Sequence, residues 1–250
     1  MSVNIATNVL SIEAQHRLSR SREDFLSSYR RLSSGSKVNR AEDDAAGLAV
    51  AAGFTSQLRI LEAADKNVVT GISLIQSAEA GLKEVSSILQ RMNELATQAS
   101  SGAIDDSTRS VIGKEISELK AELNSIASSV DFDGKNLLDG SLSSLSISVG
   151  LGNSIDLPSI TSATASSLGV GSISVSSETD AKSALDDIQQ AIKHITNNRV
   201  TLGASQKRLE SIQRANAMAS ESLSAARSQV QDTDLAFETA KLARFELMQS

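Results

Sequence analysis

The sequence contains no cysteine and no tryptophan, a single proline at Pro158, and only 2% aromatic residues. Without cysteine there are no disulfides, no thiol nucleophile and no thiolate metal site. The chain therefore suits either a cytosolic setting with no use for thiols or a signal-free export route in which a stray thiol is a liability. The scarcity of aromatics leaves the 40% hydrophobic fraction to Ala, Leu, Ile and Val, which favours long, thin helical packing over a thick globular core. The two histidines, His16 and His194, belong to no H-E-x-x-H pair, so zinc hydrolysis has no ligand set and both read as satisfied or exposed. Gly113-Lys114-Glu115 and Gly134-Lys135-Asn136 lack the upstream glycine and the hydroxyl residue of a phosphate-binding loop, and no G-x-S-x-G occurs. Asp131-Phe132-Asp133-Gly134 starts like a calcium loop, but its glycine comes too early and no Glu closes it. Asp43-Asp44 and Asp186-Asp187 are neighbours in sequence, and adjacent helical residues do not face a common point. No catalytic, cofactor or metal site is expected, and the chain does not read as an enzyme.

Long apolar runs are missing too. No window approaches the roughly 18 to 20 apolar residues of a membrane span, so no membrane partner is expected. Residues Met1 to Gln15 carry no basic segment, apolar stretch and small-residue cleavage site in succession, so no cleaved signal peptide is expected either. A net charge of −6 and a pI near 5.1 argue against nucleic acid as a partner. The exception is local: Arg17, Arg20, Arg22, Arg30, Arg31, Lys37 and Arg40 crowd the N-terminal arm. With no aromatics interleaved for base stacking, they read as a solvated or subunit-pairing helix face rather than a phosphate-binding one.

What the chain has in abundance is a seven-residue apolar repeat. With Phe54, Leu61, Val68, Ile75, Leu82, Leu89 and Ala96 as a positions, the d positions are Gln57, Ala64, Gly71, Ala78, Val85, Met92 and Ala99. Twelve of these 14 sites are apolar where a 40% composition gives about six, which marks a coiled-coil seam. A second frame places Ala181, Ile188, Ile195, Leu202, Leu209, Asn216, Leu223, Val230 and Phe237 at a. Its d residues are Ala184, Ala191, Asn198, Ser205, Ile212, Ala219, Ala226, Thr233 and Ala240. A helix from near Asn39 to near Ser100 is roughly 90 Å long and cannot bury its stripe alone. Each seam can cover the other. The residues expected to pack the rod are Leu61, Val68, Ile75, Leu82 and Leu89 against Ile188, Ile195, Leu202, Leu209 and Leu223.

Punctuation completes the map. Asn39 and Glu42 resemble a capping box, with Asp43 and Asp44 in the first turn, and Ser100-Ser101-Gly102 ends that helix. A shorter helix near Ser107 to Ser129, carrying Ile112, Ile116, Leu119, Leu123 and Ile126, is expected to turn back on the long one. An N-terminal amphipathic helix runs from about Ile5 to Leu32 with Val9, Ile12, Leu18 and Phe25 on its stripe, broken by Ser33-Ser34-Gly35. Between Asp131 and Thr179 the period becomes two: Leu145, Ile147 and Val149 alternate with Ser, and Val170, Ile173 and Val175 do so less regularly, with Gly140, Gly150, Gly152 and Gly169 as turn residues. Short hairpins are expected there, although the Ser and Gly content also fits a loop. The fold class is mainly α, a long antiparallel helical coiled-coil rod formed by N- and C-terminal segments with a small β-hairpin region.

Four motifs narrow this further. The run Arg31-Leu32-Ser33-Ser34-Gly35-Ser36-Lys37-Val38-Asn39-Arg40-Ala41-Glu42-Asp43-Asp44-Ala45-Ala46-Gly47-Leu48-Ala49 closely resembles the N-terminal signature of bacterial flagellin. Leu89 to Ala96, Phe132 to Gly140, and the stretch from Ala226 to Thr239 with Asp232, Asp234, Ala236 and Glu238 agree with that family in order and spacing. The resemblance covers nearly the whole chain. Only about fifty residues separate the third motif from the last helix, so the central region is minimal. The chain stops at Ser250 where family members normally continue, which points to a truncated C-terminus.

The resemblance implies a structural subunit that self-assembles into the flagellar filament for swimming motility, located outside the cell and secreted through the flagellar type III apparatus. It also implies a layered layout. Residues 1–38 and 231–250 become inner-tube helices, 39–130 and 180–230 rod helices, and 131–179 a small outer β/loop region. Ile5, Val9, Ile12, Leu18, Phe25, Leu235 and Phe237 would pack the tube. Implied partners are further copies of the chain, the export apparatus and an export chaperone, and the filament cap and junction proteins. Gln90, Arg91, Glu94 and Leu95 look like the stretch through which many flagellins are detected by the innate receptor TLR5, or else contact a neighbouring subunit. The competing readings are a hook-filament junction protein, a flagellin-like protein with an enzymatic insert and a secreted coiled-coil adaptor. The junction reading predicts a divergent C-terminal motif, the second needs an insert that is not seen, and the third leaves the four motifs unexplained.

Overall fold

The computed structural model describes residues 8–142, 144–150 and 152–249, so Ile5 lies outside the described residues. Among them are five helices: α1 (Val9–Ser34), α2 (Ala45–Ala99), α3 (Asp106–Ser129), α4 (Glu178–Gln231) and α5 (Leu235–Gln249). Four short strands accompany them: β1 (Asp131–Phe132), β2 (Lys135–Asn136), β3 (Leu145–Gly150) and β4 (Asn153–Leu157). The fold is mainly α with small hairpins, as the apolar periods require. The chain divides into two compact units, one drawn from its two ends (up to Ile60 and from Met218) and one spanning Leu61–Ala217.

In the Leu61–Ala217 unit, every a and d residue of the first frame from Leu61 to Ala99 is buried. On α4, Ile188, Ile195, Leu202 and Leu209 are at most 2% exposed. The two helices run antiparallel: Leu209 abuts Gly71, Arg199 Nη2 lies 3.5 Å from Glu79 Oε1, and Glu178 abuts Gly102. Moving 31 residues up from Gly71 to Gly102 moves 31 down from Leu209 to Glu178. In that register each a residue of one frame faces a d residue of the other, so Leu82 meets Asn198, Leu89 meets Ala191, and Leu209 meets Gly71. Leu89 and Leu209 thus meet Ala191 and Gly71, while Val85 and Met92 meet Ile195 and Ile188, and the seam narrows at Ala96 and Ala184.

Helix α3 packs on a second stripe of α2. Ile112, Ile116 and Leu123 are buried, and Gly81 on α2 makes room for Val130 and Leu138, whose methyls would sit 2.7 Å from a Cβ at that position. Leu74 and Leu95, one heptad step before and two after Gly81, are buried on the same side. Asp105 starts α3 by accepting the Thr108 N–H at 3.0 Å. The end of α2 is closed from α3. Arg109, 7% exposed, donates from Nε to Ala99 O at 3.0 Å, from Nη2 to Ser101 O at 2.9 Å and from Nη1 to Asp106 Oδ1 at 3.0 Å. Its positive charge meets the negative end of the α2 dipole.

The segment between α3 and α4 belongs to the core. Leu137, Leu138, Ile147, Val149, Ile155, Leu157, Val170 and Val175 are all at most 8% exposed and join the cluster formed by the helices. Asp133 (φ 52°) and Gly134 (φ 73°) form the two-residue turn joining β1 to β2, the left-handed pair that suits a tight hairpin. The stretch that begins like a calcium loop is therefore a hairpin turn. Strand β3 forms where its alternation predicts and pairs with β4. Val170, Ile173 and Val175 form no strand. They lie in turns and irregular chain, with Lys120 Nζ donating to Gly171 O and Ile173 O at 3.3 and 3.2 Å and Asn124 Oδ1 accepting from Ala165 N–H at 2.9 Å. Helix side chains thus satisfy this backbone in place of a ladder.

Candidate functional site

In the unit formed by the chain ends, the signature loop and the break before α5 are built against each other. Gly35 takes φ 69°, the left-handed C-cap that ends α1 and that only glycine adopts without strain. Residues 36–38 then run alongside the break. Ser36 bridges Asp232, Lys37 N–H donates to Gln231 O at 2.8 Å, and Thr233 N–H donates to Gly35 O at 3.0 Å. Ser36 Oγ adds a bond to Gln231 O at 3.0 Å, and Lys37 Nζ one to Gln229 O at 2.8 Å. The first and last motifs are thus two halves of one backbone joint.

Each half supplies its own helix cap. Asp43 Oδ2 accepts N–H bonds from Asn39 and Arg40 at 3.0 and 2.9 Å, closing the turn ahead of α2. Asp44 Oδ1 accepts the Gly47 N–H at 2.8 Å, so Asp44, not Asn39, caps the long helix, which begins at Ala45. Asn39 sits one turn too early, in the bend that Asp43 organises. A Cβ at Gly47 would overlap the Asp44 carboxylate, which gives that glycine its place in the motif. Asp234 caps α5 through the Phe237 N–H at 3.1 Å.

Helices α1 and α5 run antiparallel from this joint, with Arg31 Nη1 3.6 Å from Glu238 Oε1. Glu238 is 4% exposed, and Lys241 Nζ also approaches its Oε1 at 3.5 Å. At one residue per residue, the end of α5 falls opposite about Arg20. Val9 to Ser19 therefore have no stretch of α5 opposite them among the described residues. Val9 is 64%, Ile12 45% and Leu18 54% exposed, and Leu235 and Phe237 are 56% and 59% exposed. Phe25 is half-buried and stacks on Tyr29 with ring centroids 6.4 Å apart, while Lys241 lies over the Phe237 ring at 4.5 Å.

The Gln90 to Leu95 stretch splits. Gln90, Arg91 and Glu94 are exposed, but Leu95 is 3% exposed and belongs to the α3-facing stripe, so it makes no outward contact. Arg91 Nη2 and Nε reach Glu115 Oε1 on α3 at 2.7 and 3.1 Å, and Nη1 reaches Glu94 Oε2 at 3.2 Å. Hydrogen bonding to Glu115, then to Glu94, raises the Arg91 pKa above the ordinary arginine value. Of the rod residues, Leu61, Val68, Ile75, Leu82 and Leu89 are at most 3% exposed and Leu223 is half-buried. No sequence motif singles out Asn67 and Asn216, whose partners lie 81 and 67 residues away, or Arg109, whose three acceptors lie within the preceding ten residues. Among the described residues no group of three His, Asp or Glu side chains is placed to hold a metal.

The capping carboxylates give the fold a pH dependence. Hydrogen bonds hold Asp43 (from Arg40 and Asn39 N–H), Asp105 (from Thr108) and Asp180 (from Ser177 and Ser176) below the usual Asp value of 3.8. A lowered native pKa contributes stability above the unfolded value, and that contribution is lost as pH falls through the native one. The melting temperature should therefore drop below about pH 4. Asp105→Asn/Asp180→Asn, which keeps capping oxygens without charge, should flatten part of that slope. A melting temperature independent of pH across this range would contradict the assignment.

Comparison with known proteins covers both halves of the joint. The family described as the bacterial flagellin N-terminal helical region matches residues 5–143, and that described as the bacterial flagellin C-terminal helical region matches residues 185–250. A flagellin of Halalkalibacterium halodurans is 37% identical over 227 residues, covering 87% of this chain and 81% of that protein. The flagellar filament 30.7 kDa core protein of Treponema maltophilum is 34% identical over 257 residues, covering 96% of this chain and 90% of that protein. Among solved structures, the crystal structure of Bacillus cereus flagellin is similar with a TM-score of 0.54 and 28% identity, over 60% of this chain and 88% of that one.

Proposed function

From the premise that the chain belongs to the bacterial flagellin family, we propose how its parts divide the work of a filament subunit. The protein is a structural subunit of the bacterial flagellar filament and serves motility. Residues 1–38 and 231–250 form the inner tube, 39–130 and 180–230 the rod, and 131–179 the outer region, in which Ser144, Ser146, Ser148 and Ser154 are exposed. The observation that carries this division is the contrast between the two seams. The α2–α4 seam is buried within the chain, whereas Val9, Ile12, Leu18, Leu235 and Phe237 stay open to solvent. Covering each by a neighbouring copy contributes about 1.5–3 kcal/mol, so the open helices supply the drive for assembly.

Electron microscopy of protein that has been heated and cooled tests this. Long filaments are the expected result. Persistent soluble dimers would overturn it in favour of a coiled-coil adaptor, and short non-propagating assemblies in favour of a junction protein.

The partners on the way to the filament are the flagellar export apparatus and a chaperone, with cap and junction proteins at its ends. Arg91, half-exposed beside Glu94, is the residue we assign to receptor contact, with TLR5 as the partner. In a receptor reporter assay, monomer should signal and Arg91→Ala should signal at least about tenfold less, the scale of a 1.4 kcal/mol contact. Silence from the unsubstituted monomer removes the assignment.

A further inference from the structure

The heptad repeat that pairs α2 with α4 does not fix how far along each other they sit. Slide α4 by seven residues, and Leu89 faces Asn198 instead of Ala191 while Leu209 faces Ala78 instead of Gly71. Ile75 then faces Ile212 in place of Ser205, but Val68 is relieved of Ile212 in exchange, so large and small side chains pair about equally well in both registers and the seam discriminates little between them. Something other than the apolar residues of the heptads must choose the register.

Strand β3 is placed to do so. The β3–β4 ladder is irregular between Ser148 and Gly150, a bulge that takes Val149 out of the pairing. The Val149 carbonyl instead accepts from Asn216 Nδ2 of α4 at 3.3 Å, and the Ser148 carbonyl accepts from Asn67 Nδ2 of α2 at 3.3 Å. Two successive carbonyls of one strand are thus held by one asparagine from each helix. Two residues earlier, Ile147 fills the space that a Cβ on Gly71 would occupy, beside Leu209. A slip of one heptad carries Asn216 about 10.5 Å along the helix axis, out of reach of the strand.

We infer that Asn67 and Asn216, acting through the bulged end of β3, form a register clamp on the α2–α4 pair. They are positioning residues: without them the seam is intact but its alignment is no longer unique. A polar residue at an a position is known to specify coiled-coil register at some expense of stability, and here its partner is a strand carbonyl rather than a second polar side chain. This holds for the single chain, independently of what the chain assembles into.

Cysteine cross-linking reads the register directly, because the sequence contains no cysteine to interfere. Ala96→Cys with Ala184→Cys reports the native alignment, and Ala96→Cys with Ala191→Cys reports the seven-residue slip. In the otherwise unchanged chain only the first pair should oxidise. Adding Asn67→Ala and Asn216→Leu should raise the slipped product at least about tenfold while helicity by circular dichroism is kept, since Leu suits the seam. Slipped product at the background level in that folded variant overturns the clamp, whatever happens to the melting temperature. If the double substitution does not fold, Asn67→Ala alone, an exposed side chain outside the seam, is read in the same assay. No increase in slipped product there overturns the clamp equally.

Discussion

Leu82→Asp is expected to abolish the folded Leu61–Ala217 unit and filament formation together. Leu82 is fully buried at an a position, with Asn198 opposite it, so the substitution both removes apolar contact and seals a carboxylate away from water. Losing a buried Leu costs about 2–5 kcal/mol, and a buried charge without a partner adds several more. The sum rivals the 5–15 kcal/mol by which a typical domain is stable. Far-UV circular dichroism should show loss of helix at ordinary temperature, and electron microscopy should show no filaments. Gln90→Asp, eight residues further and facing solvent, should change stability by about 0.5 kcal/mol or less. Filaments from the Leu82→Asp chain would mean that the heptad frame is wrong.

That frame was legible because a coiled-coil seam writes its burial into sequence with a fixed period. Leu61, Val68, Ile75, Leu82 and Leu89 could be named without coordinates for this reason. Leu95 reads from sequence as a contact residue but is buried, because α2 packs against α3 as well as α4 and so buries a third residue per heptad. The 131–179 segment was read correctly at β3 and wrongly at Val170 to Val175. Alternation of apolar residues there marks burial, but the backbone bonds go to Lys120 and Asn124 rather than to a strand. The signature run announced the family before its mechanics could be seen. Only the geometry shows that Asp43 closes one turn, that Asp44 caps the next helix over Gly47, and that residues 35–37 lock onto 231–233. Val9, Ile12 and Leu18 could be identified from sequence as an apolar stripe, though not as one that stays exposed.

Arg109→Ala should cost about 3 kcal/mol in chemical denaturation, the largest effect expected from a residue outside the apolar seams. Arg109 sits in the first turns of α3, where its charge opposes that helix's own dipole, yet its guanidinium reaches across to the last carbonyls of α2. Truncation leaves Ala99 O and Ser101 O without that donor, frees Asp106 and opens space where a 7% exposed side chain had been. A planar fork meets three acceptors at once; a single ammonium cannot span them. Arg109→Lys should therefore recover only part of the loss, and Arg109→Met, which keeps bulk without donors, less again. Full recovery by Lys would show that charge at the end of α2 suffices. The graded order Arg, Lys, Met, Ala would show that the forked geometry joins α2 to α3, and that the turn between them is held from the side rather than by its own sequence.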